Sequence, residues 1–555
     1  MATDKLRILV PDKLADEGLS YLSSQPDVEL TSKPGITEDE LAKIAAEYDG
    51  MIVRSGIKVT GKTLLASGMP GRLKAIARAG VGVDNIDLQA ATDKGVLVMN
   101  SAEASTISTA EHAFTLLMAL CRQVGPAYKV VSGGGWDRNK FMGRQLSGKT
   151  LGVVGFGRIG RTVAERALAF GMTVVAFDPL VNVPTMLDGR VKMFQNFAQM
   201  LPLVDMLSFH VPLTEETKSM LNDETFKVCR QGVLVVNAAR GGVVDEDGLL
   251  RALDSGQCGG AALDVFVQEP PAADSKLRTH PKVLCTPHLG ASTHEAQQAV
   301  SIAAAEQLLE YLRGQGIRGA VNAGGIKVDL TAVQSAFVDL VQRMATLISP
   351  MITRGISGVT FELSGKELAP AAATIQRIGL VSLLGGRMDV SANIVSVVHV
   401  AEQRGIKLQV ITKEGGEAGG PKLTLEIQGP PGSTDAGTLP GDQTRRIVGC
   451  VYQDMRPRIV EINHYRMDMV PAGSMVLIQN QDRPGVIGLV GTEFGSAGVN
   501  IADMAISRRS EGGGPATALM VLKVDNEPPT ALLDSLRSRP GILKVAAVKL
   551  PPEKS

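Results

Sequence analysis

The chain has 555 residues, 44% apolar and 21% charged, a length that suggests three or four globular units. Its 57 basic and 57 acidic residues cancel, so no global field draws it to nucleic acid or to an anionic membrane. Five scattered cysteines (Cys121, Cys229, Cys258, Cys285 and Cys450) without a Cys-x-x-Cys pair argue against a disulfide framework and against a metal site. No apolar run of about 18 residues suggests a membrane span and no signal-type segment opens the chain, so a cytoplasmic location is expected.

In chain order, short apolar runs at Leu6–Val10, Gly50–Arg54, Lys74–Arg78 and Val96–Met99 predict strands with helices between them, hence a parallel α/β unit. Ser105 to Arg122 predicts a long helix. A second α/β unit opens with the strand Thr150–Val154, followed at once by Gly155-Phe156-Gly157-Arg158-Ile159-Gly160 and a helix to Phe170. A glycine turn between strand and helix is the setting a dinucleotide needs. The first glycine permits the tight turn, the second lets the backbone approach a pyrophosphate, and the third allows close helix–strand packing. The next strand, Thr173–Phe177, ends in Asp178, whose carboxylate can accept from ribose hydroxyls and would repel a 2′-phosphate, so NAD is expected over NADP. Further strands are expected at 206–209, 233–237 and 260–263, and a helix from about Thr293 to Arg313.

Downstream of the turn stand Arg240, Glu269 and His288, in the settings Asn237-Ala238-Ala239-Arg240-Gly241-Gly242, Asp264 to Pro270, and Pro287-His288-Leu289-Gly290. An arginine fork suits a carboxylate, and an imidazole can carry a hydroxyl proton. A glutamate beside that imidazole holds its tautomer and stabilises its charged form. Singly, each residue reads equally well as a core histidine, a turn residue or a surface charge; together, after a nucleotide turn, they point to oxidation of a 2-hydroxy acid. Beyond residue 325 the texture changes to mixed patterns with Gly/Pro-rich joins at Glu414–Gly420 and Gly429–Gly441. From Ser474 strands and helices alternate in βαββαβ order around Asp482-Arg483-Pro484-Gly485 and Gly498-Val499-Asn500-Ile501.

These settings resemble the D-isomer-specific 2-hydroxyacid dehydrogenases, and the C-terminal unit resembles an ACT domain. Arg78 to Asp84, Phe141-Met142-Gly143, Gly241 to Asp245 and Pro287 to Thr293 are similar to the long-form 3-phosphoglycerate dehydrogenases of that superfamily. The resemblance implies an α/β multidomain chain. A Rossmann-like NAD domain (101–292) would be inserted in a flavodoxin-like substrate domain (1–100 and 293–322). An α/β intervening domain (323–472) and a ferredoxin-like ACT domain (473–555) would follow. It implies NAD-dependent oxidation of 3-phospho-D-glycerate, with Arg240, Glu269 and His288 as the catalytic set. Gly155, Gly157, Arg158, Ile159, Gly160, Asp178, Val211, Ala238, Arg240, Asp264, His288 and Gly290 would hold the cofactor, Asp264 through the nicotinamide carboxamide. Arg54, Ser55, Gly80 and Val81 would line the substrate cleft, with Arg78 supporting that loop. Asn480, Asp482 and Asn500 would meet an effector, L-serine, between two ACT domains of a homo-oligomer (dimer or tetramer), and the segment around Trp136 would reach a neighbouring subunit. Two alternatives stay open at this point: a reductase of unphosphorylated hydroxypyruvate or glyoxylate, and an NAD-sensing binding protein on the same fold.

Overall fold

The computed structural model describes residues 5–66, 72–181, 183–324, 326, 330–352, 355–385, 393–415, 420–430, 444–509 and 516–553. Most of the two Gly/Pro-rich joins, 416–419 and 431–443, lies outside the described residues.

Four sheets organise the described residues. The first is wholly parallel, built from β1 (Leu6–Val10), β2 (Val28–Ser32), β3 (Gly50–Val53), β4 (Ala75–Arg78) and β5 (Leu97–Asn100) in the order β2-β1-β3-β4-β5. This is the flavodoxin-like order. The second holds β6 (Thr150–Val154), β7 (Thr173–Phe177), β8 (Thr185–Met186), β9 (Val191–Phe194), β10 (Met206–Phe209), β11 (Val233–Asn237), β12 (Cys258–Leu263) and β13 (Val283–Cys285). Read from its far edge, β9-β7-β6-β10-β11-β12 is the doubly wound nucleotide-binding order, with a reversal between β6 and β10. The crevice at that reversal is where such sheets bind ligands.

Two helices cross between these sheets. Thr106–Cys121 leaves the first and buries Ala110, Ala113, Phe114 and Leu117 against the second. His294–Leu312, capped by the Thr293 hydroxyl accepting from the Ala296 N–H, returns to the first and buries Val300, Ala304, Leu308 and Leu309 against Ile8, Val10, Ala75 and Ala77. Each fully buried leucine there contributes roughly 1.5–3 kcal/mol. The crossings meet where the Ser108 and Thr293 hydroxyls share a hydrogen bond of 2.8 Å. The nucleotide unit is therefore inserted into the first one, as expected.

A third, mixed sheet comprises β14 (Gly358–Ser364), β15 (Lys407–Lys413), β16 (Lys422–Gln428), β17 (Thr444–Val451), β18 (Pro457–Ile462) and β19 (Tyr465–Met469). Helices Ala332–Ile348 and Ala372–Leu384 cover one face of it. The fourth has β20 (Ser474–Gln481), β21 (Ile501–Arg509), β22 (Thr517–Val524) and β23 (Ile542–Lys549) in the antiparallel order β21-β22-β20-β23, with helices Val486–Ser496 and Thr530–Ser538 on one face. That is the ferredoxin-like arrangement the βαββαβ order predicts.

Candidate active site

The glycine turn sits at the strand-order reversal, and each glycine has a separate geometric reason. Gly155 has φ +90°, and a side chain there would meet the His210 carbonyl at 2.6 Å, where β6 and β10 end side by side. Gly160 packs so closely that a Cβ would fall 2.0 Å from the Gly155 oxygen. At Gly157 a Cβ would meet nothing within 4 Å, which leaves an open approach beside the N-terminus of the Arg158–Ala169 helix. Bare backbone and a helix N-terminus are what a pyrophosphate requires, so the residues present fit a dinucleotide. Asp178 directly follows β7 and is fixed toward the turn, accepting from the Phe156 N–H at 2.8 Å and the Leu180 N–H at 2.9 Å. Arg158 pairs with Glu103, while Val211 and Ala238 are buried at neighbouring strand ends.

Arg240 lies in the loop after β11. The Asn237 side chain shapes that loop, donating to the Arg240 carbonyl at 2.9 Å and accepting from the Ala239 N–H at 3.1 Å. The guanidinium donates through Nη1 to the Ala239 carbonyl at 2.6 Å and through Nε to Asp84 at 3.0 Å. Gly241 admits the neighbouring β12 loop, since a Cβ there would fall 1.9 Å from the Phe266 oxygen.

Glu269 and His288 meet as the sequence suggests. His288 Nδ1 stands 2.7 Å from Glu269 Oε2, and Glu269 Oε1 accepts from the Phe266 N–H at 3.1 Å. That pairing leaves Nε2 of a half-exposed imidazole without a partner among the described residues. His288 has φ +53°, a left-handed backbone that needs support. Asp264 supplies it. Its carbonyl accepts from the His288 N–H at 2.9 Å, and its carboxylate accepts from the N–H groups of Leu289 (2.8 Å) and Gly290 (2.9 Å). The same carboxylate accepts from the Thr286 hydroxyl at 2.5 Å and lies 3.1 Å from Nε2 of His112 on the crossing helix. Burial pushes the Asp264 carboxyl up, but the hydrogen bonds from His112, Thr286 and Leu289 and the His112 charge outweigh it. The net is a carboxyl below its ordinary range. Asp264 thus braces the histidine loop, beyond the carboxamide contact expected of it.

Across from these loops lie the ends of β3 and β4. Asp12 accepts from the backbone N–H groups of Arg54 and Gly56 at 3.0 and 2.8 Å, which shapes the Arg54-Ser55-Gly56 loop. Arg78, expected to support its loop, is half-buried; its Nη1 donates to the Ala79 carbonyl at 3.4 Å, and its Nε has no hydrogen-bond partner. Burial, together with the charges of Arg240 and Arg54, pulls its guanidinium down to about 10. The Asp84 and Asp12 carboxylates lie within electrostatic range and offset part of this, but among the described residues none hydrogen-bonds the guanidinium, so three arginines face a cleft suited to an anion. Two glycines of the loop make room for these side chains. A Cβ on Gly80 (φ +140°) would lie 1.5 Å from Arg78 Nη1, and one on Gly82 would lie 1.9 Å from Arg240 Nη2. Val81 is held by the Asn100 amide donating to its carbonyl at 2.6 Å.

In the fourth sheet, Asn480 is 2% exposed and its Oδ1 has no partner, while Asp482 pairs with Arg508 at 3.4 Å. Asn500 stands at the other end of the same sheet, before the Ile501↔Val524 pair, and donates to Asp525 at 2.8 Å. Within one chain these three residues do not form one site. Among the described residues there is no metal-ligand cluster and no helix long and apolar enough to cross a membrane.

Comparison with known proteins agrees with this geometry. Residues 114–290 match the model of the D-isomer specific 2-hydroxyacid dehydrogenase NAD binding domain, and residues 474–541 match the ACT domain. A glyoxylate reductase from Paecilomyes thermophila superposes with a TM-score of 0.52 at 27% identity, covering 57% of this chain and 99% of that one. The fold and site therefore define a 2-hydroxyacid dehydrogenase whose cofactor is NAD. The D-3-phosphoglycerate dehydrogenase of Bacillus subtilis is 37% identical over 98% of this chain and 100% of its own length. That of Archaeoglobus fulgidus is 36% identical over the same shares, and a chloroplastic one of Arabidopsis thaliana is 36% identical over 98% and 92%. The chain belongs to the D-3-phosphoglycerate dehydrogenase family.

Proposed function

We propose that the chain oxidises 3-phospho-D-glycerate to 3-phosphohydroxypyruvate, with Arg240, Glu269 and His288 as its catalytic residues. One observation carries the reading: Arg78, with no carboxylate hydrogen-bonded to it among the described residues, lies within electrostatic range of Arg54 and Arg240, on a chain that also pairs His288 with Glu269 at 2.7 Å. An unphosphorylated acid needs one guanidinium for its carboxylate. Three suit a substrate with a phosphate at its other end. Arg240 grips the carboxylate and polarises the C2 oxygen, and Arg54 and Arg78 receive the phosphate. Ser55, Gly80 and Val81 line the cleft between them. His288 Nε2 takes the C2 hydroxyl proton, while Glu269 fixes Nδ1 and stabilises the imidazolium. Bound NAD supplies the hydride acceptor. Gly155, Gly157, Arg158, Ile159 and Gly160 hold its pyrophosphate end, Asp178 its ribose, and Val211, Ala238, Asp264 and Gly290 its nicotinamide side.

The four sheets suggest a division at residues 100, 292, 322 and 472. Helix Val124–Ser132 buries none of its side chains and exposes Val124, Tyr128 and Val131, with Trp136 and Met142 exposed just after it. That apolar face suits a second copy of the chain. A homo-oligomer would also bring Asn480 and Asp482 of one copy toward Asn500 of another, and the unpartnered Asn480 oxygen suits an amino-acid effector such as L-serine. Five free cysteines suit a reducing compartment, the cytoplasm. The test is NADH oxidation with 3-phosphohydroxypyruvate, hydroxypyruvate and glyoxylate in parallel, each with and without L-serine. Preference for the phosphorylated acid is expected. Indifference to the phosphate would remove it as substrate, and the absence of a serine effect would remove the effector.

A further inference from the structure

Arg240 is gripped from the opposite side of the cleft. Its Nε donates to the carboxylate of Asp84, which stands on the loop between β4 and β5, in a different sheet and 156 residues away. That loop is stiff. The Asn85 amide donates to the Arg54 and Ile57 carbonyls at 2.7 Å each, the Asn85 carbonyl accepts from the Val59 N–H at 2.8 Å, and the Ile86 N–H reaches the Val83 carbonyl at 2.9 Å. Gly82, by lacking a side chain, lets the guanidinium lie directly on this loop.

The pair's exposure explains what it is not. The Asp84 side chain is 71% exposed, and an ion pair so placed adds little to stability. What it does is immobilise a long side chain. With Nε tied to Asp84 and one Nη1 proton tied to the Ala239 carbonyl, the guanidinium plane is fixed and its Nη edge has no other partner among the described residues. A carboxylate can be held by that edge without disturbing either bond.

We propose that Asp84 is a positioning residue. It holds Arg240 by the Nε edge so that the Nη edge is presented to the substrate carboxylate, and it makes that orientation depend on the two halves of the cleft being together. The inference rests on the reaction proposed above. In the full-length enzyme, Asp84→Ala should lower kcat with 3-phosphohydroxypyruvate by about tenfold or more, because the loosened guanidinium misaligns its ligand. KM should not rise, since a negative charge has left a cleft that binds an anion. NADH affinity, read from fluorescence quenching, should not change. Asp84→Asn keeps an oxygen that accepts from Nε and should recover most of kcat. In an Arg240→Lys background, Asp84→Ala should add nothing. A kcat within twofold of the parent for Asp84→Ala, an Asp84→Asn variant as slow as Asp84→Ala, or a rise in KM alone would each overturn the assignment. A parent enzyme inactive on 3-phosphohydroxypyruvate would instead overturn the reaction on which it rests.

Discussion

Gly82→Ala separates catalysis from folding in this site. Gly82 has no left-handed backbone angle, so alanine is conformationally acceptable there, and the new methyl meets only side-chain tips. It would lie 1.9 Å from Arg240 Nη2 and 2.7 Å from Asp84 Oδ2, where ordinary contact begins near 3.4 Å. The guanidinium must therefore retreat by about 1.5 Å, and a misplacement of that order costs a catalytic group on the order of 100-fold. This corresponds to roughly 2.7 kcal/mol of transition-state stabilisation. The expected outcome is a kcat/KM with 3-phosphohydroxypyruvate lower by about two orders of magnitude. NADH affinity should be unaltered and the melting temperature should move by a few degrees at most. Gly160→Ala and Gly241→Ala are the contrast, because their methyls would strike backbone carbonyls at 2.0 and 1.9 Å, and these variants should lose stability as well. A Gly82→Ala enzyme within threefold of the parent would refute the reasoning, for Arg240 would then work from a pose other than the one seen. Destabilisation as large as that of Gly160→Ala would refute it differently, by showing that the loop cannot absorb the methyl.

His288→Ala should lower kcat by about 100-fold or more while NADH still binds, as measured by steady-state rates and fluorescence titration; near-parent rates would remove it as proton carrier. Asp178→Ala should narrow the ratio of kcat/KM for NAD over NADP, and an unchanged ratio would place selectivity elsewhere. Asp264, held below its ordinary range, binds its proton less readily in the folded than in the unfolded state. Its stabilisation is therefore present above the usual carboxyl range near pH 4 and is lost as pH falls through the folded value. His112→Ala removes one of the groups that pull it down, so the midpoint of acid unfolding should move to higher pH; an unmoved midpoint would show that Thr286 and the backbone N–H groups suffice.

Most strands were legible because they are apolar runs buried on both faces, as Leu6–Val10 and Thr150–Val154 are. Those not foreseen in the two α/β units are half-exposed or short. Val28–Ser32 carries Glu29 and Thr31 at its sheet's edge, Val191–Phe194 carries Lys192, and Val283–Cys285 has only three residues. The glycine turn and the pairing of Glu269 with His288 were legible because their settings are local, residue type and spacing fixing backbone shape. The perturbation of Arg78 was not, since it comes from burial and from Arg54 and Arg240, which the fold alone brings near it. His112 with Asp264 and Asp84 with Arg240 were hidden for another reason. Each pair joins segments more than 150 residues apart, and only the crossing helices and the closed cleft bring them together.

The division near residue 472 illustrates the same limit, because a boundary visible in sequence need not be one in energy. Alternate residues of the fourth sheet serve different cores. Val476, Ile478, Met520 and Leu522 pack under its own two helices, whereas Met475, Leu477, Leu519, Val521, Ala546 and Leu550 belong to one core with Phe361, Leu425 and Ile447 of the third sheet. Exposing six such side chains would cost on the order of 10 kcal/mol, comparable to the whole stability of a typical domain. Arg343, 2% exposed on the Ala332–Ile348 helix, closes the joint. Its Nε pairs with Asp339 at 2.9 Å, its Nη1 donates to the carbonyls of Pro471 and Pro551 at 2.8 Å, and its Nη2 donates to that of Pro552 at 3.0 Å. This buried cation thus clamps the strand that enters the ACT unit and the segment that leaves it. Any shift of the β20 end near Asn480 moves a sheet whose other face is the intervening core, so the two units respond together or the shared core must open.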